Sequence, residues 1–247
     1  MKSPDYQPRF YRYWSHDTDL VSFNVTVRET DLQIRALRDL KQQALDVVKK
    51  QRALLESYIS VHPDFLTSLT PLTVADDAAE LVKSMAAATA KVGVGPMAAV
   101  AGAIAEVVGK ELIKYSPEVI VENGGDIFLR LEKPRLIGIY AGDSPYSGKL
   151  ALKIEPGDTP LGVCTSSGTV GHSLSFGKAD AAIILSPSAS LADAAATAAG
   201  NLIKKESDIK KAIDFIRQVD GITGIAIIKG DKMAAWGKID LVKRESA

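Results

Sequence analysis

Glu118-Val119-Ile120-Val121-Glu122-Asn123-Gly124-Gly125-Asp126-Ile127-Phe128-Leu129-Arg130-Leu131 sets the class of this chain. Apolar runs on either side of Asn-Gly-Gly-Asp read as two strands joined by a tight turn, because paired glycines supply the positive φ such turns need. Further strand-like runs follow at Leu136–Tyr140, Leu150–Ile154, Leu161–Val163 and Ala181–Leu185, with short connections at Lys133-Pro134 and Glu155-Pro156-Gly157. Short connections cannot carry a parallel crossover, so the sheet is expected to be antiparallel.

Helical periods occupy the flanks. Thr30 or Asp31 is expected to cap a long helix through Tyr58, with Leu32, Ile34, Leu37, Leu40, Ala44, Val47 and Leu54 as its stripe. A second helix is expected over Val74–Ala90, and a third from Met97 to Ile113 behind Gly93-Val94-Gly95-Pro96. The third is apolar on nearly every side apart from Glu106 and Lys110, so it must be buried. Helices over Ser190–Ile203 and Ser207–Val219, a strand at Gly224–Lys229 and a strand at Lys232–Val242 complete the pattern. The fold class is α+β, antiparallel sheet with helices on its faces, including a buried Ala-rich helix. No linker or boundary divides residues 1–247, which read as one domain or two intertwined lobes.

Thirty basic residues balance thirty acidic ones, so no overall field draws the chain to nucleic acid or an anionic membrane. Arg9-Phe10-Tyr11-Arg12-Tyr13-Trp14 interleaves cations with aromatics, but on a neutral chain it reads better as a packing segment. One cysteine, Cys164, excludes an internal disulfide. The first residues lack an apolar signal core and no run is long enough to span a bilayer, so a cytoplasmic protein is expected.

The chemistry concentrates between Thr165 and Gly200. Thr165-Ser166-Ser167-Gly168 reads as a hydroxyl-rich turn suited to phosphate or to its own backbone, and His172 follows in small residues as a general-base candidate. In Ser188-Ala-Ser-Leu-Ala-Asp193-Ala-Ala-Ala-Thr197-Ala-Ala-Gly200, Asp193 and Thr197 share one helix face. They offer two hard oxygens of the kind Mg²⁺ accepts, or else a surface acid and a back-bonded threonine. A buried acid there needs a cation or a dense set of amide donors beside it. Asn123-Gly124-Gly125-Asp126 is a plain hairpin turn or a backbone cradle for a ligand. Gly93-x-Gly95 follows a helix rather than a strand, which rules out a dinucleotide fingerprint.

In this order, Asn123-Gly-Gly-Asp126, Thr165-Ser-Ser-Gly168, His172 and Leu191-Ala-Asp193-Ala-Ala-Ala-Thr197 resemble the ApbE family of Mg²⁺-dependent FAD:protein FMN transferases, and more closely a microbial ApbE-like branch of about this length. The resemblance implies an ApbE-like, T-fold-like arrangement with flavin nucleotide and metal between related α+β halves. It implies Asp193 and Thr197 as metal ligands, and Asn123, Gly124, Gly125, Asp126, Thr165, Ser166, Ser167 and Gly168 as residues beside FAD or FMN. His172 would be the catalytic histidine. Ser175 and Phe176 stand where the family's His-x-x-Asp-Pro motif has Asp and Pro, and Gly95–Val100 lacks the family's lysine and acid. Two readings stay open: a Mg²⁺-dependent transferase or hydrolase acting on FAD or another phosphorylated small molecule, and a non-catalytic binder of flavin, nucleotide or anion. A homo-oligomer is compatible with either.

Overall fold

The computed structural model describes residues 18–168 and 177–244. Strands β1 (Val21–Val27) and β2 (Thr30–Ala36) form an opening hairpin. Helices α1 (Lys41–Val61), α2 (Asp64–Thr67), α3 (Glu80–Val92) and α4 (Val100–Leu112) follow. Next come β3 (Val119–Asn123), β4 (Asp126–Arg130), β5 (Arg135–Gly138), β6 (Leu150–Ile154), β7 (Leu161–Ser166) and β8 (Ala181–Ser186). Helices α5 (Ala189–Leu202) and α6 (Ile209–Ile216) precede β9 (Gly224–Lys229), β10 (Lys232–Gly237) and β11 (Leu241–Lys243).

Eight strands form one antiparallel sheet in the order β1-β2-β3-β4-β7-β8-β9-β10. Alternate residues point to opposite faces. Val121, Phe128, Cys164, Ile184, Ile225 and Ile227 meet the helices on one face. Ile120, Leu129, Val163, Ile183 and Ile228 meet a smaller sheet, β11-β6-β5, on the other. The central strands are buried on both sides, which is why their sequences run almost continuously apolar.

Several expectations shift, among them the second helix, which begins at Glu80 rather than Val74. Thr30–Ala36 is a strand rather than the start of a helix, because Leu32, Ile34 and Ala36 recur every second residue and fill the core beside β1 and β3. The helix begins only at Lys41, leaving Leu37 and Leu54 exposed. Pro96–Ala99 forms a 3₁₀ turn, with Pro96 at its start, before α4 takes over at Val100. The last strand divides at Gly237, whose φ of +82° turns the chain out of the large sheet so that Leu241–Lys243 joins the small one. Among the described residues no single helix is long and apolar enough to cross a membrane.

Small residues set how closely the layers approach. A Cβ on Gly109 would lie 2.1 Å from the Phe128 ring, and one on Gly162 would lie 2.4 Å from Ala189 Cα. Helices α4 and α5 can therefore settle onto β4 and β7 at backbone distance, bringing residues distant in sequence to one place.

Candidate functional site

The alanine-rich run folds as α5 because alanine loses no rotamer freedom in a helix, and Ser188 caps its start by accepting from the Leu191 amide. Nearly every residue of α5 is buried, Asp193 among them. Its carboxylate faces the first turn of α4, where the Gly102 amide donates to Asp193 Oδ2 at 2.9 Å. The Ala101 amide supports it as well. These are the amide donors a buried acid at this position requires, and they are the ones the start of a helix leaves unpaired.

Gly102 is what allows the approach, since a Cβ there would meet the Ala189 carbonyl oxygen at 2.2 Å and Asp193 Cβ at 2.8 Å. The carbonyl of Ala101 accepts from Asn123 Nδ2 at 3.1 Å, which ties the β3–β4 hairpin to the same helix start. Across the hairpin, Asp126 opens β4, is buried, and accepts from the Thr165 amide on β7 at 3.3 Å.

Two buried acids thus share one corner. Burial raises the Asp126 pKa well above the usual carboxylate range, and the charge of Asp193 raises it further. Burial also pushes Asp193 up to about 7, against the pull of the α4 amides. The Cys164 thiol, buried beside both acids, is raised by desolvation and by their charge. Its sulfur lies 3.4 Å from the Ala189 carbonyl.

The remaining candidates spread outward from that corner. Thr197 lies one helical turn beyond Asp193 on α5 and is half-buried. Gly124 and Gly125 form the turn between β3 and β4, with φ of +68° and +104°. The Gly125 amide is taken by Glu122 Oε1 at 2.9 Å, so this turn secures itself rather than holding that amide open. Thr165 and Ser166 belong to β7, not to a turn, pairing with Ile183 and Ala182. Only Ser167 and Gly168 lie past the strand end, where the Gly168 amide donates to the Ala179 carbonyl at 2.9 Å. His172 and the Arg9–Trp14 stretch lie outside the described residues.

Glu106 stands out only in three dimensions. It is buried, and Oε2 accepts from the Ser190 amide at 3.0 Å and from the Ser188 and Ser190 hydroxyls at 3.1 and 3.3 Å. Its other oxygen pairs with Lys110 at 2.6 Å. A lone acid inside an apolar helix was the available signal. Its serine partners lie more than eighty residues away.

The two buried carboxylates are hard oxygen donors of the kind a divalent cation accepts, and the Cys164 thiol lies beside them. Among the described residues no group of three or more His, Cys, Asp or Glu side chains gathers to hold a metal. Any cation here would keep several waters, as Mg²⁺ commonly does.

A family profile described as "AbpE bacteria" matches residues 12–231. A UPF0280 protein of Methanocella arvoryzae is 46% identical over 222 residues, spanning 88% of this chain and 89% of the relative. A UPF0280 protein of Methanocaldococcus jannaschii is 43% identical over 228 residues, spanning 90% and 93%. Among solved structures, the flavin transferase ApbE of Vibrio cholerae superposes with a TM-score of 0.58 at 14% identity, covering 88% of this chain and 96% of that one. The flavinyl transferase ApbE of Pseudomonas stutzeri, in its apo form, gives 0.53 at 14% identity, covering 88% and 94%. The α+β fold with antiparallel sheets is therefore the one those transferases share.

Proposed function

The chain belongs to the AbpE bacteria family, and on that footing we propose that it is a Mg²⁺-dependent enzyme acting at a phosphate of FAD or a related phosphorylated small molecule, by FMN-type transfer or by hydrolysis. The observation that carries this reading is the buried pair Asp126 and Asp193 beside the start of α4. Two acids in a low-dielectric corner repel, and a divalent cation relieves the repulsion while neutralising charge that develops on a phosphate.

Asp193 and Thr197 would hold the cation from consecutive turns of α5. Asn123, Gly124, Gly125 and Asp126 would border the nucleotide from the hairpin side, and Thr165, Ser166, Ser167 and Gly168 from the end of β7. His172 would take the proton from the attacking hydroxyl and return it to the leaving oxygen. The chain's part is to orient the phosphate against that histidine and to exclude bulk water.

A second reading has its own support. The α4 amides already answer the Asp193 carboxylate, so the corner is stable as a cap without turnover, and a ligand-binding protein would keep it. Incubation with FAD and MgCl₂, following AMP release and covalent flavin on protein, separates the two. The enzyme reading expects metal-dependent AMP release, lost in Asp193→Asn. Tight flavin binding without turnover would favour the binder, and no binding of flavin or nucleotide would overturn both.

A further inference from the structure

The two edges of the large sheet are finished differently. Along the β1 edge the exposed positions carry Val21 at the strand's start and then Ser22, Asn24 and Thr26, which are polar. The β10 edge reads Lys232-Met233-Ala234-Ala235-Trp236-Gly237, with every residue exposed except the half-buried Ala234. Its four central residues are apolar and hold no proline or charge, whereas soluble proteins usually guard such an edge. Met233 and Trp236 are each 37% exposed.

The backbone of this edge faces outward at defined positions. Gly230 and Asp231 connect β9 to β10, and Lys229 pairs with Lys232 to close the turn. The Ile228 carbonyl is used by the Asp180 amide on the β8 side, so its β10 partner Met233 turns its own amide and carbonyl away from β9. By alternation the same holds for Ala235. Ala234 and Trp236 lie on the helix face with Ile227 and Ile225, while Met233 and Ala235 lie on the face toward the small sheet.

We infer that β10 is the contact edge of a homodimer, in which a second copy adds its β10 antiparallel across a two-fold axis at Ala234 and extends the sheet. This register satisfies the outward groups, because Met233 and Ala235 of one copy then face Ala235 and Met233 of the other as hydrogen-bonded pairs. It sets a large side chain against a small one on one face. On the other face it lays the Lys232 stem and ammonium over the Trp236 indole of the second copy. Phe215, also exposed, lies on α6, the helix that packs against β9 and β10 on that side. Moving the axis to Ala235 would instead oppose Lys232 with Lys238, two like charges.

Sedimentation velocity of the full chain is expected to show twice the monomer mass. Ala235→Pro removes an outward amide without touching the bonds to β9, and is expected to give a folded monomer. Ala234→Cys is expected to form an interchain disulfide on oxidation, since directly opposed non-hydrogen-bonded residues stand about 4.5 Å apart at Cα. Ala235→Cys is expected not to, and buried Cys164 does not compete. A monomeric parent chain, a folded Ala235→Pro variant that stays dimeric, or cross-linking at Ala235→Cys in place of Ala234→Cys would each overturn the inference. Should Ala235→Pro fail to fold, the two cysteine variants still decide it.

Discussion

Asp193 on α5 accepts from the first-turn amide of Gly102 on α4, while Glu106 on α4 accepts from the first-turn amide of Ser190 on α5. Each helix therefore caps the other, and the acid proposed to meet a metal is also part of what holds the two helices in place. Stability and function are coupled at this junction, and the variants below are chosen to separate them.

Gly102→Ala is expected to destabilise the protein by about 3 kcal/mol, at the upper end for overpacking, because the new methyl meets backbone at Ala189 rather than a side-chain tip. The midpoint of urea unfolding measures it. An unchanged midpoint would mean that α4 and α5 can separate freely.

Glu106→Ala leaves the buried Ser190 amide and the Ser188 hydroxyl without their acceptor, while the Ser190 hydroxyl keeps Ser84 Oγ at 3.0 Å, at an expected loss of about 2–3 kcal/mol. Lys110→Ala removes only the exposed half of its ion pair and is expected to cost under about 1 kcal/mol. Equal losses for the two variants would show that the cap contributes nothing beyond the surface pair.

Stability of the metal-free protein is expected to fall as pH rises from about 4 to about 7. Asp193 is held protonated up to about 7 in the fold but ionises near 3.8 when unfolded, so between those values the folded state binds the extra proton. Buried Asp126 is raised too and acts with the same sign. Asp19, Glu29, Asp208 and Asp214 are lowered, and their stabilisation is lost as pH falls through the carboxylate range and below it. The slope reaches at most about 1.4 kcal/mol per pH unit for one proton. Chemical denaturation at stepped pH in EDTA, with Asp193→Asn as the flattened control, tests it. A rise in stability over this window would contradict the raised values.

Added Mg²⁺ is expected to raise the thermal midpoint above pH 7, where Asp193 is ionised, and to do so less at pH 5. Asp193→Asn keeps an oxygen for the Gly102 amide while removing the charge, so it should preserve the fold and abolish the Mg²⁺ response. Thr197→Val is expected to weaken the response about tenfold in apparent Kd, the equivalent of about 1.4 kcal/mol. Full retention of the response in both variants would remove α5 from the metal site.

Arg135 bonds the fully buried Glu118 at 2.6 Å and also pairs with Asp19. Arg135→Met is expected to cost about 3–5 kcal/mol by stranding the Glu118 carboxylate. Adding Glu118→Leu should recover most of that loss. A double variant as unstable as the single one would show that packing, not the stranded charge, carries the effect.

Much of the architecture was legible locally. Asn-Gly-Gly-Asp between apolar runs marked the β3–β4 hairpin, and Pro96 marked the start of a helical segment. Thr30–Ala36 carries both periods, because Leu32 and Ile34 also fit an apolar stripe that continues through Leu37 and Leu40 into α1, and only pairing with β1 and β3 decides between them. Thr165-Ser166 looked like a turn because hydroxyls favour turns, yet pairing with β8 draws both residues into β7.

Sequence alone determined what short-range geometry can encode: the strand and helix periods, the glycine turn, and the placement of Asp193 and Thr197 one turn apart on a small-residue helix. Tertiary structure alone decided what Asp193 faces, since its amide partner on Gly102 is ninety-one residues away. It also set Asp126 beside Asp193 and Glu106 beneath Ser190. The physical reason is that a carboxylate's behaviour depends on the dielectric and donors around it, and those arrive only when distant segments pack at backbone distance through Gly102, Gly109 and Gly162.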